Sequence, residues 1–422
     1  MVPERHLQAP ASVSASNRAT AQAWYALSIL VAAVLLAYVD RQIIALLVEP
    51  IRRDLALSDT QIGLLQGPAF AFFYAGAAIP LGWVVDKHNR LRILIAGVAL
   101  WTLATAGSAF TTHFATLLLC RIGVALGEAT LIPAVFSLLG DYFSPQRRAT
   151  VFGIYMAVVM VGTSAAMGVG AIVLRLLEHS HVSLGAMHAP WRLVFVCVAA
   201  PGPLVALTLL TLHEPGRSLP TAQADAFRSP SAGTVALLIA GLAGSSATFQ
   251  TMMAWLPTVL VRLHGWSASS AGTAIGLVSG AAALFAAATA AGIGRRNTTR
   301  GMLMAVTACA LAAVPAAFGP TSTSPTTALL CCGLLAAPLL IAYSLAPVIL
   351  QAVSSGTTWG RIAASFKLAE SIGIALGASI TGVLSDHLSS QGGVGTALAA
   401  AMACILTITA TALIVARQRL TW

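Results

Sequence analysis

The 422-residue chain carries charge on only 9% of its residues, is 58% hydrophobic and has a mean hydropathy of +0.86. This excludes a soluble globular protein, in which roughly a quarter of residues are charged. The net charge of +10 does not point to nucleic acid, because the basic residues are scattered through the polar breaks and form no basic groove. All six cysteines (Cys120, Cys197, Cys309, Cys331, Cys332, Cys404) lie in apolar runs and none of the nine histidines lies mid-span. No disulfide, metal, haem or other cofactor is therefore expected.

A spanning helix needs about 20 apolar residues, and backbone inside a bilayer must satisfy its own hydrogen bonds. Residues 1-21 form a polar tail with no apolar signal region, and the run from about Ala23 to Val48 is too long for a cleaved signal. Apolar runs between polar breaks place spans at 22-48, 60-85, 92-112, 114-140, 149-176, 191-212, 232-259, 269-292, 301-318, 328-353, 362-385 and 395-416. The longest internal break, His213 to Pro230, contains three prolines and divides the spans six and six. The expected fold is an all-α membrane protein: twelve transmembrane helices in two pseudo-symmetric six-helix bundles, 22-212 and 232-416, with a linker at 213-231 and a tail at 417-422.

With the N-terminus on the cytoplasmic side, fifteen of the 23 basic residues fall inside and only Arg52, Arg53, Arg175, Arg192 and Arg262 outside, which satisfies the positive-inside rule. Both termini are then cytoplasmic in a bacterial-type inner membrane. The halves echo each other, since a basic break follows the second span of each, Asp86 to Arg92 and Arg295 to Arg300. Spans 5 and 11 are both rich in Gly, Ala and Ser, which lets helix backbones approach closely.

Six ionisable groups fall inside spans: Asp40, Arg41, Arg121, Glu128, Lys367 and Glu370. Each costs on the order of 3 kcal/mol facing lipid, so each should face a partner or a watery cavity. At ~1.5 Å per residue, Asp40 and Arg121 both land ~8 to 9 Å toward the periplasm, close enough in depth to pair. Arg121 and Glu128, seven apart, share one face of span 4, with Glu128 near the midplane. Asp40, Arg41, Arg121 and Glu128 are thus expected to form one buried cluster that couples transport to protons, with Glu128, the carboxylate further from the arginines, as the proton carrier. Neutral ion pairs that only fix helix packing are the alternative. Lys367 and Glu370, three apart on span 11, can pair directly, or Lys367 can face a central cavity and attract an anion. Gln250, Trp255, Tyr343 and Gln351 are further cavity candidates, with packing or interface anchoring as the other role open to the aromatics.

Span 1 carries Tyr38-Val39-Asp40-Arg41, followed by Val48-Glu49-Pro50-Ile51-Arg52-Arg53-Asp54-Leu55 and Leu57-Ser58-Asp59-Thr60-Gln61-Ile62-Gly63. These strings resemble the opening of the spinster-like branch of the major facilitator superfamily. The stretch from Gly82 to Arg92 is similar to the superfamily's loop 2-3 signature, with Asn89 in place of glycine. Arg121 to Ala129 resembles the span 4 motif, and Asp141-Tyr142-Phe143 with Arg147-Arg148-Ala149 the loop after it. Trp191-Arg192, Pro201-Gly202, Glu214-Pro215 and Trp255-Leu256-Pro257 extend the likeness over about residues 35 to 390. It implies the superfamily fold, alternating access around a central cavity, and a span 1 and span 4 charge cluster used for proton-linked movement.

Gly82, Asp86, Arg90, Arg92, Arg147 and Arg148 are then the candidate conformational latch. Gly82 would allow close helix approach, and Asp86 would hold a helix N-terminus or an arginine when the cytoplasmic side is shut. The second-half copy, Gly292-Ile293-Gly294-Arg295-Arg296, lacks the aspartate, so the latch should rest on the first half. Lys367, Glu370 and the run Gly377-Ala378-Ser379 depart from the family pattern.

The expected function is secondary active transport of a small organic or amphipathic anion, with protons, membrane lipid and the small-molecule substrate as partners and a monomer as the working unit. Export of lipid-like or drug-like compounds is the alternative. A membrane-embedded enzyme would need a nucleophile-base set or metal ligands, yet the chain has neither G-x-S-x-G nor H-E-x-x-H, only His179, His181 and His188 near one break. A sensor would need an appended signalling domain, which the spans leave no length for.

Overall fold

A computed structural model describes residues 11–180, 189–217, 231–293, 298–354, 359–388 and 393–420, and among them the chain is helical and without strands. His181, His188 and the loop residues Gly294, Arg295 and Arg296 lie outside the described residues. Among the described residues, twelve helices are long and apolar enough to cross a membrane. They are Ala21–Leu46, Asp59–Lys87, Arg90–Ser108, Phe114–Tyr142, Thr150–His179, Pro190–Leu210, Ala232–His264, Ala268–Thr289, Gly301–Phe318, Pro325–Ala352, Arg361–His387 and Gly393–Arg419, numbered here as spans 1 to 12. An even number of crossings puts both ends of the chain on one face of the bundle, called here the terminal face. The opposite one is the distal face.

Three spans are broken where the sequence demands it. Span 2 is interrupted at Gly67, ahead of Pro68, and span 6 at Ala200, ahead of Pro201. Proline opens a helical segment without strain because its missing N–H is an orphan there in any case. Span 4 breaks after Glu128, at Ala129 and Thr130, and the Thr130 hydroxyl donates to the Gly127 carbonyl at 2.8 Å. The break sets Glu128 at the end of a helical segment, at membrane depth, where irregular backbone is tolerated only if protein or a cavity surrounds it.

Within each half the helices pack through small residues. A Cβ on Gly127 would come within 2.7 Å of both the Gly97 carbonyl oxygen and the Trp101 nitrogen, so spans 3 and 4 meet backbone to backbone. Between the halves, spans 2 and 11 and spans 5 and 8 do the same. A Cβ on Gly63 would sit 2.7 Å from the Ala378 oxygen, and one on Gly276 2.9 Å from the Gly168 nitrogen. In lipid such contacts replace the hydrophobic drive that water supplies. One apolar core, including Ile43, Leu46, Met167, Met252 and Ile275, is shared by the halves, whereas a second, around Leu30, Val98, Trp101 and Val135, belongs to the first half alone. The halves therefore lean together toward the distal face and leave a cleft between them.

Candidate functional site

The cleft has a volume of about 1070 Å³ including its open mouth, and both bundles line it: Tyr38, Arg41, Phe70 and Tyr74 from the first half, Gln250, Tyr343, Lys367 and Glu370 from the second. Span 1 places consecutive Asp40 and Arg41 on adjacent faces of the helix, so that they point to different partners. Arg41 donates from Nη2 to Glu128 Oε2 at 2.6 Å, with its guanidinium 4.3 Å from the Phe70 ring centre, 5.3 Å from Tyr74 and 5.5 Å from Tyr38. This aromatic surround suits a planar cation. Asp40 lies 3.9 Å from Arg121 and accepts a hydrogen bond from the Thr105 hydroxyl, both residues being buried. One oxygen of each carboxylate, Asp40 Oδ1 and Glu128 Oε1, is buried without a hydrogen bond.

The four charged residues of spans 1 and 4 thus come together as their depths require, but their pairing corrects one expectation. Glu128 is not the more isolated carboxylate; it holds the shorter ion pair, and Asp40 holds the longer one. The long Arg41 side chain reaches across to span 4, which its position in span 1 does not disclose. The two pairs also differ in access. Arg41 is 23% exposed toward the cleft while Glu128 is fully buried, whereas the Asp40–Arg121 pair is sealed at both ends.

Across the cleft, Lys367 Nζ donates to Glu370 Oε2 at 2.7 Å, and Ser246 donates to Glu370 Oε1 at 2.6 Å. Both residues face the cleft, so the direct pair and the cavity position hold together. Gln250 and Tyr343 also line it. Trp255 does not: it is fully buried and donates its indole N–H to the Ala378 carbonyl at 3.1 Å, tying span 7 to span 11. Gln351 does not either, because it sits exposed near the terminal-face end of span 10.

At the terminal face, Arg90 is the centre of the loop 2-3 region. It is 1% exposed, donates from Nε to Glu214 at 2.6 Å, from Nη1 to Ser137 Oγ at 2.9 Å and to Asp141, and from Nη2 to the Pro215 carbonyl at 2.7 Å. Asn89, in the glycine position of the signature, accepts from the Arg92 N–H at 2.8 Å and caps span 3. Asp86 is exposed and forms no ion pair among the described residues, Arg92 and Arg147 are exposed, and Arg148 donates to the Phe143 carbonyl. A Cβ at Gly82 would meet nothing within 4 Å, so the expected close approach is not made in this state.

At the distal face a clasp that the sequence did not announce joins the halves. Arg262 of span 7 donates to Glu49 at 2.5 Å and, through both terminal nitrogens, to the two oxygens of Asp59 at 2.6 Å. Ser385 adds a bond to Asp59 at 2.6 Å. Asp386 accepts from the N–H groups of Asp59 and Thr60, at 2.9 and 2.8 Å, and from the Thr60 hydroxyl at 2.6 Å. Glu49 and Asp59 lie in the resemblance strings, yet Arg262, the residue that clasps them, is over 200 residues away and belongs to the other bundle.

The sequence model of the Major Facilitator Superfamily matches residues 30–377. The chain belongs to the major facilitator superfamily. It is a multi-pass transporter of spinster-like sequence and not an enzyme. Over 272 residues, 62% of this chain and 59% of the relative, it is 32% identical to an MFS-type efflux pump of Mycolicibacterium smegmatis. It is 33% identical to human protein spinster homolog 1 over 131 residues, 31% of this chain and 25% of that one. The matched regions thus span less than two thirds of these relatives. The crystal structure of a bacterial homolog of the human lysosomal transporter spinster, inward-facing and occupied, superposes with a TM-score of 0.76 at 26% identity, covering 94% of this chain and 96% of that one.

Proposed function

We propose that the chain is a proton-coupled symporter that moves a small organic or amphipathic anion across the inner membrane by alternating access, with both termini cytoplasmic and the monomer as the working unit. The positive-inside count supports a cytoplasmic terminal face, and on that reading the structure, clasped at the distal face, is the inward-facing state. The observation that carries the assignment is the asymmetry of the Arg41–Glu128 pair, whose cation reaches the cleft while its carboxylate is wholly buried. An anion entering the cleft competes for Arg41. A buried carboxylate left without its cation is costly, and a proton neutralises it. Anion and proton therefore favour each other's binding, which is the coupling a symporter requires. The bundles then rock with the cluster charge-compensated, the clasp opens and both cargoes leave. Asp40 and Arg121, sealed from the cleft, hold spans 1 and 4 together throughout.

Replacing Glu128→Gln keeps an acceptor for Arg41 and removes the proton site. Gradient-driven accumulation in proteoliposomes should be abolished while anion exchange persists. Undiminished proton-driven uptake, a preference for cations, or anion binding that tightens as pH rises overturns the assignment. A second reading, export of lipid-like or drug-like compounds, draws on the identity to the mycobacterial efflux pump and on the apolar cleft residues Phe249, Leu339 and Ile374.

A further inference from the structure

We propose that Glu370 is a second proton-binding site, released to take a proton when an anion engages Lys367, so that each bundle contributes one proton to the cycle. The proposal rests on the symport reading above and extends it to the second half. The two halves repeat a single arrangement with unrelated residues. In each, a cation faces the cleft, 23% exposed for Arg41 and 36% for Lys367, and its carboxylate partner lies behind it, 0% and 5% exposed. With the cation exposed and the carboxylate buried, a solute in the cleft can reach the cation while its partner stays out of water, so loss of the cation leaves a carboxylate that is costly unless a proton neutralises it.

The surroundings of Glu370 make it depend on Lys367 more than Glu128 depends on Arg41. Glu128 shares its cluster with Arg121 and Asp40. Glu370 has Lys367 as its one ion-pair partner among the described residues, with the neutral hydroxyl of Ser246 on span 7 and the phenol of Tyr343 on span 10 as its other neighbours. Tyr38 and Tyr74 face Lys367 from the first half, and neither brings a positive charge. When an anion draws the ammonium away, the Lys367 N–H···Oε2 bond is lost and a proton from the open side of the cleft takes its place on Oε2, the Ser246 bond to Oε1 remaining. On release the proton leaves, and the ammonium returns to the carboxylate. An anionic group able to reach both Arg41 and Lys367 then carries two protons, and one confined to Arg41 carries one.

Removing the cation by mutation mimics its capture. Purified full-length Lys367→Met is compared with the unmutated protein by infrared spectroscopy at neutral pH, with Lys367→Gln in its place if the methionine variant is not monodisperse. The expected result is the carbonyl stretch of one additional protonated carboxyl group, absent from Lys367→Met/Glu370→Gln. Arg41→Met, which leaves two buried carboxylates to one arginine, is measured beside it and should show its own band, abolished by Glu128→Gln. If Arg41→Met gains a band and Lys367→Met does not, Glu370 is not a proton site and the symport reading survives. If neither gains one, both fail. A band that persists in the Lys367→Met/Glu370→Gln protein assigns the proton to another carboxyl and also overturns the proposal.

Discussion

Replacing Arg262→Ala should convert the resting protein from distally closed to distally open. The guanidinium makes three charge-assisted hydrogen bonds across the interface, to Glu49 and to both oxygens of Asp59. Bonds of that kind contribute roughly 1.5 to 3 kcal/mol each when buried. The Arg262 side chain is 20% exposed, at the rim, and Glu49 keeps Arg52 and Arg53 at 3.5 and 3.6 Å. Water and these substitutes reduce the total to about 2 to 4 kcal/mol. At ~1.4 kcal/mol per tenfold, the ratio of open to closed molecules should rise roughly 30- to 700-fold. The assay is a distance distribution between spin labels at Thr112 and Thr321, exposed positions on the distal rim of each half, in a background without the native cysteines. Arg262→Lys, which keeps the charge but not the fork, should fall between the two. A distribution in Arg262→Ala that matches the parent protein would refute the clasp as the element that holds this state.

Asp86→Asn should act on the opposite face: if the carboxylate, which forms no ion pair here among the described residues, latches the terminal face when that face shuts, its loss should leave the terminal face open more of the time, read as a longer distance between labels on the two terminal rims. Arg90→Ala should cost about 3 to 5 kcal/mol of stability, since it removes the ion pairs to Asp141 and Glu214 and leaves a hole where the buried guanidinium packed, seen as a lower unfolding midpoint in detergent. Gly127→Ala should destabilise by about 1 to 3 kcal/mol, because the added methyl meets the backbone of span 3 at 2.7 Å. The same variant should weaken proton-driven uptake, since Glu128 is its neighbour in the chain.

The bilayer made the twelve spans legible, because hydropathy alone decides what can cross it. The breaks inside them were less so. Gly67-Pro68 and Ala200-Pro201 carry local signals, whereas the interruption after Glu128 has none beyond Pro133 in the next turn. Depth arithmetic brought Asp40, Arg41, Arg121 and Glu128 to one region. It could not choose partners within it, since an arginine side chain reaches far enough to cross between helices. Lys367 and Glu370 were legible as a pair because one helix fixes both. Trp255 and Gln351 were misplaced for a related reason: a helix position gives depth, but the face it presents depends on how the bundle is wound. The Arg262 clasp lay furthest from view. Its members are ordinary loop-side charges until two bundles dock, and docking in one particular state is not written in either bundle's own pattern.

Span 2 starts with a cap that belongs to someone else. Ser58 secures the N–H of Gln61, but the two amides before it, Asp59 and Thr60, are held by Asp386 of the opposite bundle. Each time the distal face opens, those two N–H groups are handed to water, and each time it closes they are withdrawn. Their rate of hydrogen exchange is therefore a built-in clock: it records how often the distal face opens without any label, ligand or mutation.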